Sequence, residues 1–236
     1  MIRQRNAEIN LYQINALAHL DAPVLQALTA ISRVYYLKPG EVLLRQRDII
    51  RSFYIIQQGG VRLVEYLPDG QSVCLKMHGA GEILGLLAVS GGYPHSTQIE
   101  AIHDSVIIAV DGQDARQLML EYPPFALTVI DLLTTHVHYA HERVRQMAAK
   151  RVDCRLAHAL LQLCQKFGKE DGAKISIEVP LSQRDLAEFT SATVETINRT
   201  LTQWEKQGIV LNSHKHIDVL DEAALLAIAE NVVATH

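Results

Sequence analysis

Residues Leu181–Val210, LSQRDLAEFTSATVETINRTLTQWEKQGIV, decide how the chain is to be read. The stretch predicts two short helices joined by a tight turn. Ser182 stands as an N-cap with Asp185 three residues on, the spacing of a capping box. Leu186, Ala187 and Phe189 supply apolar positions of the first helix, and the pattern lapses at Thr190-Ser191. Thr193 caps the second helix. Ile197, Leu201 and Trp204 then recur at intervals of four and three, which is one buried helical face. Gly208 falls where helices end in a left-handed residue. The opposite face carries Glu195, Asn198, Arg199 and Thr202. Such a face suits base edges in a major groove, because Arg donates two bonds to guanine, Asn pairs with adenine and Glu accepts from cytosine.

Downstream, IVLN and HIDVL flank Ser213–Lys215 and predict a hairpin, placed as a wing beside the second helix. Residues 221–230 predict a short closing helix. Upstream, a helix runs from Arg151 to Gly168, then a polar loop, KEDGAK, and a strand, ISIEV. Before that comes the most regular periodicity in the chain. Ala126, Ile130, Leu133, Val137, Ala140, Val144 and Met147 are spaced 4, 3, 4, 3, 4, 3, a heptad seam that favours a parallel helix pair and hence a symmetric homodimer. Phe125, Val129, Leu132 and Tyr139 form a second apolar stripe for packing on the preceding domain. Asp111 caps another helix, which Pro123-Pro124 interrupts.

From Val34 to Val110 the chain breaks into short apolar runs, including EVLL, FYIIQQGG, VRLVEYL, SVCLKM and SVIIAV. Punctuation by Pro39-Gly40, Gly59-Gly60 and Asp69-Gly70 predicts short strands in a β sandwich or barrel. Residues 1–30 predict helix, with a stripe at Ile9, Leu11, Ile14, Leu17 and Leu20 and a second short helix starting at Asp21-Ala22-Pro23. The expected division is 1–122, 123–150 and 151–236.

Composition bounds the function. With 48% hydrophobic and 20% charged residues, no membrane-length apolar run and no signal-peptide core at MIRQRNAEIN, a cytoplasmic protein without membrane partners is expected. Three scattered cysteines, Cys74, Cys154 and Cys164, argue against a disulfide framework or a four-cysteine metal site. The net charge of −4 means that contact with DNA must rest on a local positive face, with Arg184, Arg199, Lys206, Lys215 and the basic run His141 to Arg151 as candidates. Residues 151–236 hold nine Lys and Arg against twelve Asp and Glu.

The order of β domain, long helix and winged helix-turn-helix resembles the CRP/FNR superfamily of bacterial transcription regulators. KPGEVLLRQRD, FYIIQQGGVRLVEYLPDGQSV, GEILGLLAVSGG and TVETINRTL carry the resemblance over nearly the whole chain. It implies an α+β architecture: a double-stranded β-helix (jelly-roll) sensor domain, a long dimerisation helix and a C-terminal winged helix-turn-helix. It implies that Val194, Glu195, Asn198 and Arg199 touch bases, in an FNR-type V-E-T-x-x-R pattern, with Asn198 replacing the family's serine. Glu195 and Arg199 would read the central G·C pair of a TTGA-like half-site in an inverted repeat. Ser182, Gln183 and Arg184 match the phosphate-contacting start of the first helix, with Thr193, Thr196 and Lys215 as further phosphate contacts. The expected protein is an allosteric activator with RNA polymerase as a partner.

In cyclic-nucleotide-binding members a Gly-Glu pair holds the ribose and an Arg-Ser or Arg-Thr pair the phosphate. Here those places are Gly85-Leu86 and His95-Ser96. The ribose acceptor is apolar and the guanidinium is an imidazole, which argues against cyclic AMP. The absence of cysteine from residues 1–73 excludes an N-terminal iron–sulfur cluster. A small metabolite in this pocket is one reading of the effector. Haem is another, with Cys74, His78 and His95 as candidate ligands. Two other function classes compete: a cupin-like metal enzyme, for which His78, His95 and His103 are too dispersed, and a protein-binding regulatory module without DNA contact. No nucleophile elbow, phosphate loop or zinc-hydrolase motif is present, and an enzyme is not expected.

Overall fold

The computed structural model describes residues 3–4, 9–67, 72–90, 94–149, 151–172, 174–213 and 216–230. The chain folds as two compact units, Met1–Ser72 with Lys76–Tyr139, and Val73–Leu75 with Ala140–His236. In chain order the first set of elements is β1 (Arg3–Gln4), α1 (Ala22–Ala30), β2 (Ser32–Leu37), β3 (Val42–Leu44), β4 (Ser52–Gln58), β5 (Gly60–Tyr66), β6 (Ser72–Gly79), β7 (Ile83–Leu84), β8 (Gln98–Ala101), β9 (Ser105–Asp111), α2 (Gly112–Glu121) and α3 (Pro123–Ala149).

The strands form two sheets, β1-β2-β9-β4-β7 and β3-β8-β5-β6, the jelly-roll architecture. Side chains alternate across each strand, so β4 and β9 face two ways. Tyr54, Ile56, Ile107 and Ala109 join Leu37, Val61, Ile99 and Ala101 in the roll interior. Phe53, Ile55, Ile108 and Val110 join a second core with α1, α2 and the start of α3. Gly59, at φ 81°, turns β4 into β5, and a Cβ there would lie 2.4 Å from Ser105 Oγ.

Glu100 lies between the interior residues Ile99 and Ala101 and therefore points to the outer face of its sheet, where it is buried. Its Oε2 accepts from Arg62 Nε (3.1 Å) and Nη2 (2.9 Å), and its Oε1 from the Tyr66 hydroxyl (2.9 Å) and Gln98 Nε2 (2.8 Å). Burial pushes this carboxyl up, but the bonds from Gln98, Tyr66 and Arg62 outweigh it and hold the group below its ordinary value.

The N-terminal expectation needs correction. Leu11, Ile14, Leu17 and Leu20 are all buried, but no α-helix carries them, and Leu11 opens a 3-10 helix, Leu11–Gln13. Their spacing is three, and successive i→i+3 bonds link them: Ile14 N–H to Leu11 O, Leu17 N–H to Ile14 O and Leu20 N–H to Leu17 O. A strict three-residue repeat belongs to 3-10 geometry. The Asp69-Gly70 turn lies outside the described residues.

The two α3 stripes separate except at Leu133. Phe125 and Val129 are buried in the helical-side core, with Leu132 and Leu133 packed against it. Ile130, Val137 and Val144 are 54%, 51% and 67% exposed, and Ala140 is exposed too. The Met147 side chain lies outside the described residues.

The second unit continues with α4 (Val152–Phe167), β10 (Gly168–Asp171), β11 (Lys174–Ile177), α5 (Gln183–Thr190), α6 (Val194–Lys206), β12 (Val210–Ser213), β13 (His216–Val219) and α7 (Glu222–Ala229). Its sheet has the order β10-β11-β13-β12. The expected polar loop KEDGAK is largely a strand, with Gly168 opposite Ile177 and Asp171 opposite Lys174. All four β10 residues are exposed, so no apolar alternation marks it.

Candidate nucleic-acid interface

The helix pair is built as its residues dictate. Ser182 Oγ accepts from Asp185 N–H (3.1 Å), and Asp185 Oδ2 accepts from Ser182 N–H (2.9 Å), a complete capping box. The Ser182 hydroxyl also donates to Asp185 (2.6 Å), so its proton is committed within the box. α5 ends at Ser191, which takes the left-handed conformation at φ 49°. Thr193 then caps α6, its Oγ1 accepting from Thr196 N–H at 3.2 Å. Ile197, Leu201 and Trp204 are 0%, 0% and 3% exposed and fix which face of α6 looks inward.

The other face is a continuous polar row. Glu195, Asn198, Arg199, Thr202, Gln203 and Lys206 line one open depression. Among the described residues, the Glu195 and Arg199 side chains make no hydrogen bond or ion pair. Asn198 Oδ1 makes only a long contact with the Thr202 hydroxyl (3.4 Å). Val194 is 45% exposed at the start of the helix. Gln203 was not among the expected contacts, although its spacing from Arg199 places it on the same face, beside Lys206 of the expected positive face. Of the expected phosphate contacts, Arg184 is exposed while pairing loosely with Glu188 (3.4 Å), Gln183 begins α5, and Thr193 and Thr196 share a bond of 2.9 Å. Lys215 lies outside the described residues.

Two contacts brace the helix pair at the end of α5 and the end of α6. Arg155 of α4 donates from Nε to Thr190 O (2.8 Å) and from Nη2 to Ser191 O (3.5 Å). Glu205 Oε1 accepts from Asn212 N–H (2.8 Å), tying the last turn of α6 to β12 of the wing.

The expected effector residues sit in the first unit in two pairs. Gly85, at φ 77°, precedes a 3-10 turn over Leu86–Ser90, and Leu86 is buried in the helical-side core. His95 is half-buried and Ser96 exposed. The His95 ring bonds to the Thr97 carbonyl through Nδ1, which fixes its tautomer. Its backbone pairs with the turn at Arg47: Arg47 N–H donates to His95 O (2.7 Å), and His95 N–H to Asp48 O (2.8 Å). Arg47 itself is left-handed at φ 73°, a conformation that glycine adopts more readily than a residue with a Cβ. Of the haem-ligand candidates, Cys74 and His78 are buried, and the His78 ring faces Glu82 at 3.4 Å. Among the described residues no three His, Cys, Asp or Glu gather as metal ligands. Lys76 lies 4.3 Å over the Tyr139 ring, and nearby His136 is pushed down by burial and by Lys76. Burial, then Glu222, raises the Cys164 thiol to about 11, leaving it a core group and not a reactive one.

A winged helix-turn-helix with an open polar row, behind a two-sheet roll and a long helix, defines a DNA-binding regulator with a sensory domain. Residues 34–122 match the cyclic nucleotide-binding domain, and residues 154–228 the Crp-like helix-turn-helix domain. The nitrogen fixation regulation protein FixK of Bradyrhizobium diazoefficiens is 27% identical over 89% of this chain and 87% of its own length. The fumarate and nitrate reduction regulatory protein of Vibrio cholerae is 24% identical over 84% and 79%. The solved structure of FixK2 from Bradyrhizobium japonicum has the same fold, with a TM-score of 0.72 at 21% identity over 87% of this chain and 99% of that one. The chain belongs to the CRP/FNR family: it is a DNA-binding transcription regulator and not an enzyme. No described helix is long and apolar enough to cross a membrane.

Proposed function

We propose that the protein works as a cytoplasmic homodimer that reads a TTGA-like inverted repeat and activates transcription through RNA polymerase. The open row Glu195–Asn198–Arg199 on a helix locked from behind by Ile197, Leu201 and Trp204 carries this reading. Arg199 and Glu195 read the two bases of the central G·C pair, and Val194 meets a thymine methyl. Gln183, Arg184 and the first N–H groups of α5 hold a phosphate, since the Ser182 hydroxyl is committed to its cap. Ile130, Val137, Ala140 and Val144 form the dimer seam together with Leu133 and Met147, and the working division is 1–122, 123–150 and 151–236.

The effector is a small metabolite held in the β domain near Gly85 and His95, and it shifts the population of two packings of that domain on α3. Cyclic AMP does not fit. Leu86 is buried and offers no oxygen to a ribose, and His95 has one ring nitrogen already bonded.

Selection of random duplex DNA by the full chain tests the reading. The expected product is an inverted repeat with half-site centres about one helical turn apart. Arg199→Ala should lose the guanine preference by a factor of about 5 to 100, the worth of a bidentate contact. A selection without a palindrome, or one whose G·C pair survives Arg199→Ala, overturns it. Added cyclic AMP should leave affinity unchanged.

A further inference from the structure

We infer that Arg155, in α4, is a positioning residue for base reading: its guanidinium fixes the turn from α5 into α6 and so sets the angle at which α6 meets DNA. The inference rests on the proposed role of α6.

A helix leaves its last carbonyls without intrahelical donors. At the end of α5 some of these are satisfied locally, because the Ser191 N–H bonds to Glu188 O and Ala187 O and the Ala192 N–H bonds to Ala187 O. The carbonyls of Thr190 and Ser191 fall where the chain leaves the α5 axis for that of α6. Arg155, thirty-five residues upstream of Thr190, takes both, at 2.8 and 3.5 Å. Its charge also lies at the negative end of the α5 dipole. The Thr190 side chain cannot do this work, since it is buried and bonds back to Leu186 O at 2.7 Å. Ser191 is in a left-handed conformation uncommon for a residue with a Cβ, so the turn is held and not merely preferred. Only a forked donor reaches both carbonyls from one position, and a lysine reaches one.

The test uses the full chain and the DNA site that the wild-type chain selects. Affinity is measured by fluorescence anisotropy for that duplex and for one with the central G·C pair inverted, over a range of salt, with thermal unfolding alongside. Arg155→Met should lower the ratio of the two affinities about tenfold and leave binding to unrelated DNA and the salt slope unchanged. Arg155→Lys should recover part of the ratio, and it remains decisive if the methionine variant does not fold. An unchanged ratio in the lysine variant together with an unchanged or unfolded methionine variant overturns the inference. So does an equal loss on both duplexes, and so does a salt slope reduced by about one, which would make Arg155 a phosphate contact. A wild-type chain that selects no palindrome removes the reading of α6 itself and is thereby told apart from a failure of Arg155 alone.

Discussion

Glu100 shows how a single buried carboxylate is made tolerable. Four donor atoms from three side chains converge on it, and Arg62 brings two of them along with a countercharge. Breaking a buried pair from one side leaves a charge that water no longer solvates. Arg62→Met should therefore cost about 2–3 kcal/mol of unfolding free energy at neutral pH. The dependence on pH has a definite sign. Glu100 sits below its ordinary value when folded, so its stabilisation is full at neutral pH and is lost as pH falls through the carboxylate range. In the variant the remaining burial favours the protonated form. The stability gap between the two proteins should narrow from pH 7 towards pH 3 in urea unfolding, and a gap constant with pH would refute the account. None of this was legible beforehand. Arg62 and Glu100 lie 38 residues apart, and only the register of β5 on β8 makes them neighbours.

At the scale of elements, α3 buries one face in the helical-side core and leaves the other, the proposed dimer seam, exposed. Leu133 is shared between them, since it packs against the helical-side core. Val137 is half exposed within one chain, so its loss barely touches the protomer's own fold. Val137→Asp should yield a protein of half the native mass by light scattering, with unchanged far-UV dichroism and lost operator binding, whereas Leu133→Asp should also destabilise the protomer. A dimeric Val137→Asp would contradict the seam. The heptad repeat, the capping box and the stripe of α6 were all readable, because each depends on residues within a few positions of one another. β10 was not, because exposed polar residues can pair backbones without leaving a pattern. The N-terminal stripe was legible as apolar and misread as helical, since its period of three fits 3-10 turns and not 3.6.

For the whole molecule, the net charge of −4 is the main constraint. Most expected phosphate contacts, Gln183, Thr193 and Thr196 among them, are neutral donors that displace no counterion. With Arg184 and Lys215 as the charged contacts of each protomer, log K against log salt should have a slope of roughly −3 to −4 for a dimer. A slope steeper than about −6 would mean that other cations reach the backbone and that the contact set is wrong. The open polar row proposed to face DNA was readable in the sequence because it occupies one helix. The proposed effector residues were harder to read, because Gly85-Leu86 and His95-Ser96 lie in separate connecting segments and Leu86 is buried.

The two strands at the centre of the roll carry a further implication. β4 and β9 serve as a party wall: Ile56, Ile107 and Ala109 face the interior, while Ile55, Ile108 and Val110 face the chamber that seats Phe125 and Val129. Protein interiors are packed too densely to absorb added volume. Anything that swells one chamber must bow the wall into the other, and the foot of the long helix stands in that second room.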